Sequence, residues 1–558
     1  MAGAELVNSI MRVLLLLTGM VWGGHASVCW AASPVLTHVH PAAVSRGEVT
    51  EVRLVGTFDP WPCRVWVDGP GVEFVAGEAA GVFTVRTAAD ALVGPRLMRA
   101  FNAEGASIPI SLVVADAPQI LEVEPNTDFR HPQVLPSSTV TINGRHEKSD
   151  DVDSFAVELV AGQSLVAWVE AYVLAAGFDS MLRVVDAAGV TMAFNHDAKT
   201  LDPFLVFTAP RDGRYVIQTM GHAYPASTDV RFAGGETCIY RLHVSTGPVV
   251  RNTWPLGVTA GAAATVDLEG WNLTTSRLDV SAGLPPGVPA IVSDVPEYVE
   301  TPEAGVMTLP FGVSGRIEIP GGHDRYEFTA VKDSVLEMSV TARRHGSEMD
   351  PWLKIRDADG RELAANDDDG GSLEPRLVWT VPADGRYAVE VGDLTQRAGA
   401  DFFYRLQVMS VRPVMTAVAA SHAVTVVPGK SADFKVVVSR RPGFTAALKV
   451  VALGLPVGVT AAEVDVPEAG GEVTLVLAAG NDAAAASMPI RLVVREVDGG
   501  RELGVSYSMA TVSENNGVPQ GYQQLLIGST DQLWLTVTPP PPPAPVEAPT
   551  PAEAVPAP

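Results

Sequence analysis

The sequence predicts an all-β protein built from tandem β-sandwich domains, and three observations support this. Apolar and polar residues alternate in short runs, as at Leu336, Met338 and Val340, which is typical of strands with one buried face. Clusters of Gly, Pro and Asp separate these runs at the spacing of sandwich proteins. Long stretches also occur twice in tandem, which indicates a modular architecture.

The duplication is visible in motifs that keep their internal spacing. A P-x2-V-x2-G-x6-L-x-G frame at 41–56 recurs at 255–270, and YRL at 240–242 recurs at 404–406. The chain has 558 residues, well beyond the roughly 250–300 at which one hydrophobic core stops growing. Several domains are therefore expected, with a two-part unit copied once.

Residues 1–32 have the layout of a secretory signal peptide. Arg12 precedes the apolar run VLLLLTGMVW, and small residues follow around Ala31 and Ala32, where we expect cleavage. No later stretch reaches the roughly 18 apolar residues of a membrane-spanning helix. The predicted location is secreted or at the cell surface, with the periplasm as an alternative.

Two of the modules share the proline-led frame. Residues 35–116 open with the strand VTEVRLVG and close with SIPISLVVAD, and residues 251–297 repeat the frame in a shorter module. The frame resembles the start of an IPT/TIG domain. The resemblance implies an immunoglobulin-like (Ig-like) sandwich at 35–116 and a truncated one at 251–297.

Residues 118–247 and 300–410 form a second kind of module. The strand-turn FDSMLRVVDAAG at 178–189 corresponds to MDPWLKIRDADG at 349–360, and DGRY recurs in both copies. With EVEPNTDF and DDVDSF in the first copy, these motifs resemble the bacterial pre-peptidase C-terminal (PPC) domain. The resemblance implies a jelly-roll-like β-sandwich of a kind found attached to secreted proteases.

The rest of the chain is predicted to be one more sandwich and a tail. Residues 412–512 resemble the Ig-like or fibronectin-like sandwiches of bacterial surface proteins. Residues 513–558 form a C-terminal segment whose proline-rich part, from 540, cannot build a core and is predicted to be disordered. A cell-wall spacer and a plain disordered end are both open interpretations of this tail.

Charge and cysteine content restrict the function further. A formal net charge of −25 repels nucleic acid and anionic lipid, whereas it favours the collection of divalent cations. After signal cleavage only Cys63 and Cys238 remain, which cannot form a disulfide framework, so we expect apolar cores to hold the domains together. Whether these two cysteines pair is left open.

Oxygen-bearing side chains crowd the start of the first PPC-type module. Calcium takes six to eight hard oxygen ligands, so two acidic segments that fold together would supply most of a site. The PPC resemblance also implies that such acids ligate calcium, which orders the linker against the sandwich. The alternative is a group of solvated acids in an acidic protein. The predicted Ca²⁺ ligands are Glu122, Glu124, Asn126, Asp128, Asp150, Asp151 and Asp153.

The second PPC-type copy lacks most of this set. When Asp324 is aligned with Asp151, Tyr326 takes the position of Asp153, so calcium is not expected there. Asp367, Asp368 and Asp369 form a separate acidic group, which we interpret as turn residues because Asp-Gly clusters commonly make hairpin turns.

The sequence contains no catalytic motif. It has no G-x-S-x-G elbow and no H-E-x-x-H, so we expect a non-enzymatic scaffold that binds an extracellular protein or polysaccharide surface. One alternative is an accessory or targeting component of a secreted protease. Another is a polysaccharide-binding protein that stacks sugar rings on exposed tryptophans, although filling a core is the commoner use of Trp. The tryptophans considered are Trp61, Trp168, Trp254, Trp271, Trp352 and Trp379.

Overall fold

The computed structural model describes residues 32–539, except 117, 199, 225–227, 282, 286, 302–304, 370–371, 413 and 511–525. Within these residues nearly all regular structure is β-strand, with 3-10 helices at Tyr172–Leu174 and Arg343–His345, so the all-β prediction is confirmed. No helix of the described part is long and apolar enough to cross a membrane. The predicted signal peptide up to residue 31 and the proline-rich stretch from 540 lie outside the described residues.

Nine strands form the first sandwich: β1 (Val35–His40), β2 (Ala43–Ser45), β3 (Val49–Thr57), β4 (Arg64–Val67), β5 (Val72–Ala76), β6 (Val82–Thr87), β7 (Gly94–Asn102), β8 (Gly105–Ala106) and β9 (Ile110–Ala115). One sheet has the order β1-β3-β6-β5 and the other β2-β9-β7-β4, with β8 paired to β7. Buried residues of both sheets, such as Val44 and Phe83, form one apolar core.

Ten strands form the module at 118–247, called the first PPC-type module after its sequence resemblance alone: β10 (Gln119–Leu121), β11 (Gln133–Val134), β12 (Thr139–Arg145), β13 (Asp153–Leu159), β14 (Ser164–Glu170), β15 (Phe178–Val185), β16 (Thr191–Asn195), β17 (Phe204–Thr208), β18 (Gly213–Ala223) and β19 (Ile239–Ser245). Its sheets have the orders β10-β12-β19-β14-β17 and β11-β13-β18-β15-β16. Cys63 and Cys238 are buried free thiols in the cores of the first and second modules.

Five strands form the short third module: β20 (Val249–Trp254), β21 (Gly257–Thr259), β22 (Thr265–Trp271), β23 (Arg277–Asp279) and β24 (Ile291–Ser293). The sheet β20-β22-β23 and the pair β21-β24 reproduce β1-β3-β6 and β2-β9 of the first module. The fully buried part of its apolar core consists of Val258, Val266 and Val280. The short module is thus a reduced version of the first sandwich.

Two glycines of the repeated frame are needed because strands approach each other closely. A Cβ atom on Gly56 would lie 1.9 Å from the carbonyl oxygen of Val35, and one on Gly270 would lie 2.1 Å from that of Val249. In both modules the glycine sits where the first strand pairs with the third next to a bulge. The frame therefore recurs because the same strand pair is built twice.

Nine strands form the second PPC-type module: β25 (Glu297–Val299), β26 (Phe311–Arg316), β27 (His323–Ala330), β28 (Val335–Thr341), β29 (Pro351–Asp357), β30 (Glu362–Asn366), β31 (Arg376–Thr380), β32 (Gly385–Asp393) and β33 (Phe403–Ser410). Its sheets β25-β26-β33-β28-β31 and β27-β32-β29-β30 match those of the first copy strand for strand, apart from β11. The two copies therefore share one topology.

Twelve strands follow: β34 (Met415–Ala419), β35 (Ala423–Val426), β36 (Ser431–Arg440), β37 (Leu448–Leu453), β38 (Val459–Ala461), β39 (Val464–Asp465), β40 (Gly471–Ala479), β41 (Ala486–Glu496), β42 (Glu502–Gly504), β43 (Tyr507–Ala510), β44 (Leu526–Thr530) and β45 (Leu533–Val537). Strand β45 lies between β35 and β41 in a central position of its sheet. The last sandwich therefore extends beyond the predicted boundary at residue 512.

Trp534 of β45 joins this last sandwich to the first one. Its ring centroid lies 6.2 Å from that of Trp66 and 4.8 Å from that of Phe101. The guanidinium of Arg99, a fully buried residue, lies 5.5 Å from the Trp66 ring and 5.2 Å from the Trp534 ring. A buried cation between two aromatic rings thus fills the contact between the two modules.

Candidate functional site

A buried polar cluster lies where the chain enters the first PPC-type module. Asp153 is the first residue of β13, Asp151 precedes it by two residues, and His146 directly follows β12. One ligand atom of each of these side chains lies within 4.8 Å of the others, and all three residues are buried. The two carboxylates and the imidazole therefore face one point.

Tyr240 on β19 bridges two carboxyl groups of this cluster. Its hydroxyl oxygen lies 2.6 Å from Oε2 of Glu122 and 2.7 Å from Oδ2 of Asp153. The hydroxyl has one hydrogen to donate, so contacts this short to both carboxyl groups need a second proton. Burial, together with the Asp153 carboxylate, raises the pKa of Glu122 and favours its protonated form.

The residue paired with Tyr240 is a glycine because neighbouring side chains occupy the space that a Cβ atom would need. Gly144 on β12 pairs with Tyr240, and a Cβ atom there would lie 2.2 Å from the tyrosine ring and 2.3 Å from Oε2 of Glu122. In the second copy Gly315 pairs with Tyr404, whose hydroxyl would lie 2.5 Å from an added Cβ. The same constraint therefore applies in both copies.

The linker before the module adds two more oxygen-bearing side chains. Glu124 accepts the N–H of Asn126 at 2.9 Å, and its carboxylate interacts electrostatically with Asp151 and Asp153. Asn126 is fully buried, and its backbone carbonyl accepts the N–H of Ser154 at 3.2 Å. The linker is thus attached to the start of β13.

Several buried polar atoms of the cluster have no hydrogen-bond partner among the described residues. They include Oε1 of Glu124, both amide atoms of Asn126 and Oδ1 of Asp153. His146 Nδ1 lies 3.0 Å from Oδ2 of Asp153, but the ring is not aligned for a hydrogen bond. Such groups are costly to bury unsatisfied, and a cation would satisfy the oxygens. The donor set therefore fits a hard cation.

Two of the seven predicted ligands lie outside this cluster. Asp128 is exposed, accepts the N–H of Arg130 at 3.0 Å and lies 3.2 Å from the imidazole of His131. Asp150 is exposed, and its carboxylate accepts the N–H of Phe232 at 3.2 Å. Of the other five, Asp151 and Asp153 converge at one point, Glu122 meets Asp153 through Tyr240, Glu124 interacts electrostatically with both aspartates, and Asn126 is tied to the start of β13 by its backbone. Their role as metal ligands stays a prediction.

The strand register corrects the alignment of the second copy. Asp324 pairs with Val391 on β32, as Asp153 pairs with Thr219 on β18, so Asp324 corresponds to Asp153 and not to Asp151. Tyr404 donates to Asp324 at 2.7 Å, and Glu300 is close enough to interact with it. The second copy therefore keeps the counterparts of Glu122, Asp153 and Tyr240.

The rest of the cluster is missing from the second copy. In the corrected register Ile317 takes the position of His146, Gly322 that of Asp151, and Tyr326 that of Phe155. The Tyr326 hydroxyl lies 2.7 Å from that of Tyr404, and so fills part of the equivalent space. The second copy thus provides an internal comparison with fewer donors.

The triple-aspartate segment forms a turn, as the sequence predicts. The N–H of Asp369 donates to the carbonyl of Ser372, and the N–H of Ser372 donates back to Asp369. Asp357, which is nearby in sequence, accepts the N–H groups of Asp359 and Arg361. These contacts close two turns within the module.

The carboxyl pair of the second copy predicts a pH dependence of stability. Burial, with a contribution from Asp324, raises the pKa of Glu300 from 4.5 to about 7. Between these values the folded chain holds a proton that the unfolded chain has lost, so stability falls as pH rises. We expect Glu300→Gln to reduce this fall in urea unfolding between pH 5 and 8 in the presence of a chelator. An equal fall in wild type and variant would contradict the assignment.

His146 and Tyr240 belong to the cluster but were not among the predicted site residues. The recurrence of YRL at 240 and 404 was a usable signal for Tyr240, because both copies place this tyrosine over a glycine. His146 has no counterpart in the second copy, so the repeat gave no signal for it.

Comparison with known proteins gives one distant relative. No protein-family model matches the chain. Over 219 residues the chain is 27% identical to a probable subtilase-type serine protease of Deinococcus radiodurans, a match that covers 38% of this chain and 26% of that protein. The chain thus matches only about a quarter of the length of this relative.

Solved structures offer only weak similarities. Activated α2-macroglobulin of Escherichia coli matches 86% of this chain and 44% of its own, with 10% identity and a TM-score of 0.15. The fibronectin(III)-like modules of Clostridium thermocellum CbhA match 37% of this chain and 90% of their own, with 12% identity and a TM-score of 0.12. The fold class rests on the strands described above.

Proposed function

We propose that the chain is an exported, non-catalytic scaffold of β-sandwich modules that binds an extracellular protein or polysaccharide surface. We further propose that one Ca²⁺ ion orders the junction at the start of the first PPC-type module. The observation that carries the calcium proposal is that Asp151 and Asp153 converge with His146 in a buried cluster, while oxygen atoms of Asp153 and of the linker residues Glu124 and Asn126 lack hydrogen-bond partners.

The chemistry of the donor set favours calcium. Carboxylate and amide oxygens are hard ligands, and Ca²⁺ accepts six to eight of them in flexible geometry. Glu122, Glu124 and Asn126 come from the linker, whereas Asp151 and Asp153 come from the start of the sandwich. An ion held by both groups would tie the linker to the sandwich, and so would set the angle between the first two modules.

Hydrogen bonds from neighbouring residues orient the carboxylates of this site. The N–H of Glu147 and the hydroxyl of Thr127 donate to Asp151, at 2.7 and 3.0 Å, which fixes its carboxylate. Tyr240 holds Asp153 from the opposite side. Binding of the ion would replace the proton of Glu122, so we expect proton release on binding.

Calorimetric titration of the purified chain tests the calcium proposal. We expect one calcium site, lost in Glu124→Gln and in Asp151→Asn, because each substitution removes a carboxylate from the cluster. Asp128→Asn is the matched control, since Asp128 is an exposed acid of the same linker that lies outside the cluster. Retained binding in Glu124→Gln and Asp151→Asn, or no calcium binding by the wild type, would contradict the proposal.

A role as an accessory or targeting component of a secreted protease is the second candidate function. It is supported by the similarity to part of the Deinococcus radiodurans protein, which is a probable subtilase-type serine protease. Casein and gelatin assays with and without a serine-protease inhibitor separate an enzyme from a scaffold. Inhibitable cleavage by the purified chain would overturn the non-catalytic proposal.

A further inference from the structure

A cleft of about 700 Å³ lies where the second, third and fourth modules meet. Its lining comes from β14 and β17 of the first PPC-type module, from β20 and β22 of the short module, and from the segment around the 3-10 helix Arg343–His345. The volume is within the range of sites that enclose a small ligand, and sites often form between domains. Three modules must be folded and docked to build it.

One wall of the cleft is a row of aromatic rings. Trp168 stacks on Phe204 with ring centroids 6.1 Å apart, and Phe204 lies 5.1 Å from Trp271 of the short module. On its other face Trp168 stacks on His243 at 4.5 Å, so that ring is held firmly. All three cleft rings are partly exposed. They present an apolar surface of mutually inclined rings, with 23° between Trp168 and Phe204 and 41° between Phe204 and Trp271, that one module alone would not provide.

The other wall is rich in arginine. Arg251 pairs with Asp401 at 2.8 Å and donates to the carbonyl of Gly346 at 3.0 Å, which ties the short module to the fourth. Arg397 pairs with Glu348 at 3.6 Å, near the solvent. Arg343 is exposed and makes no ion pair with a carboxylate of the described residues, and Asp350 interacts with it only electrostatically. Its guanidinium is therefore open to a ligand.

Carboxylates neutralise two of the three arginines of the lining. Asp202 accepts the N–H groups of Ala171, Tyr172 and Val173, so its carboxylate is engaged by the 3-10 helix behind the wall. Glu348 pairs with Arg397 and Asp401 pairs with Arg251, so Arg343 is the lining arginine without an ion-pair partner among the described residues. A ligand carboxylate would therefore be held at Arg343.

We propose that this cleft binds an acidic oligosaccharide, with a sugar ring stacked on Trp271 and Phe204 and a carboxylate held by Arg343. The proposal rests on the proposed scaffold function and names its ligand class. A pyranose ring offers an apolar C–H face to an aromatic side chain and hydroxyls to water. A uronate carboxylate matches the planar donors of arginine. Nucleic acid would combine stacking with charge in the same way, so equally tight binding of a single-stranded oligonucleotide in the same titration would overturn the saccharide.

Titration of tryptophan fluorescence with oligogalacturonate tests the proposal. A chelator is present throughout, so calcium bridging of the uronate plays no part and the calcium site is not involved. We expect saturable binding that weakens with salt, and about tenfold weaker binding of an uncharged cello-oligosaccharide, because the charged hydrogen bonds are lost. Polyglutamate is the acidic competitor without a sugar ring and is expected not to bind.

Two cleft variants and two controls locate the site. Trp271→Ala and Arg343→Gln are each expected to weaken binding about tenfold or more, and the exposed position of Arg343 keeps that variant folded. The controls Trp352→Ala and Arg361→Gln lie on the fourth module outside the cleft lining and should bind as the wild type does. Asp153→Asn should also bind normally, which separates this result from the calcium proposal.

Each other outcome contradicts a specific part of the inference. No binding of oligogalacturonate by the wild type would overturn the ligand class. Unchanged binding in Trp271→Ala and Arg343→Gln would overturn the location. If polyglutamate bound equally well, the cleft would be a site for acidic polypeptides, and the proposal of an oligosaccharide ligand would be wrong.

Discussion

Calcium at one hundred times its dissociation constant is expected to stabilise the first PPC-type module of the wild-type chain by about 2.7 kcal/mol. The same calcium concentration is expected to leave an Asp153→Asn variant unchanged. The ion would bind the folded cluster and not the unfolded chain, so mass action favours the folded module. Hydrogen exchange of the backbone N–H groups in β12 and β13 measures the free energy of opening of this module without contributions from the others.

The Asp153→Asn variant is also compared with the wild type in the absence of calcium. Without calcium, Asp153→Asn should not lower stability, since it removes a carboxylate that faces Glu122 and leaves an amide oxygen to accept from Tyr240. Asp128→Asn, the exposed control, should keep the full response to calcium. An equal response in Asp153→Asn and wild type would show that the ion, if bound, lies elsewhere.

Trp534→Ala is expected to destabilise the last sandwich by about 3–5 kcal/mol, the usual cost of removing a large buried aromatic side chain. Trp534 is fully buried, and its indole N–H donates to the hydroxyl of Ser487 at 2.9 Å. Its loss also removes one of the two rings that hold Arg99, so the contact with the first sandwich should open. Thermal unfolding measures the loss of stability. Limited proteolysis at the junction between the first and last sandwiches measures whether their contact has opened.

Two comparisons control for a general loss of stability. Trp534→Phe keeps an aromatic ring against Arg99 and should cost less than the alanine variant, with the junction still closed. Trp352→Ala removes a half-buried tryptophan from the fourth module and should leave the junction intact. If the Trp534→Ala chain had the melting temperature and the protease resistance of the wild type, the docking of the first and last modules would be refuted.

Local patterns were sufficient to predict most of the fold. Alternation at Leu336, Met338 and Val340 predicted a strand with one buried face, and these residues lie on β28 with their side chains in the core. The duplicated motifs predicted two copies of one sandwich, and the two PPC-type modules have the same sheet order. Periodicity and repeats are local properties, so the sequence carries them directly.

Errors arose where pairing between distant segments decides the outcome. The last sandwich takes strand β45 from beyond residue 512, and only its pairing with β35 and β41 shows that it belongs there. The second copy was aligned on the similarity of short acidic motifs, whereas pairing with β32 places Asp324 opposite Val391.

Contacts between distant segments also decide which of the predicted site residues come together. Asp151 and Asp153 of the seven predicted calcium ligands converge at ligand distance, because they are close in sequence at the start of β13, and Glu122 joins Asp153 through Tyr240. Asp128 and Asp150 lie outside the cluster, and their carboxylates accept the backbone N–H groups of Arg130 and Phe232. Trp168 and Trp271 meet at one cleft only through the docking of two modules, which no local pattern indicates.

A crystal structure of the full chain grown in calcium tests the central claim most directly. The account predicts one ion bound by oxygens of Glu124, Asp151 and Asp153 at about 2.3–2.6 Å, with the linker ordered against β13. Well-ordered density for the cluster at saturating calcium, with the acids hydrogen-bonded to one another and no ion among them, would contradict it.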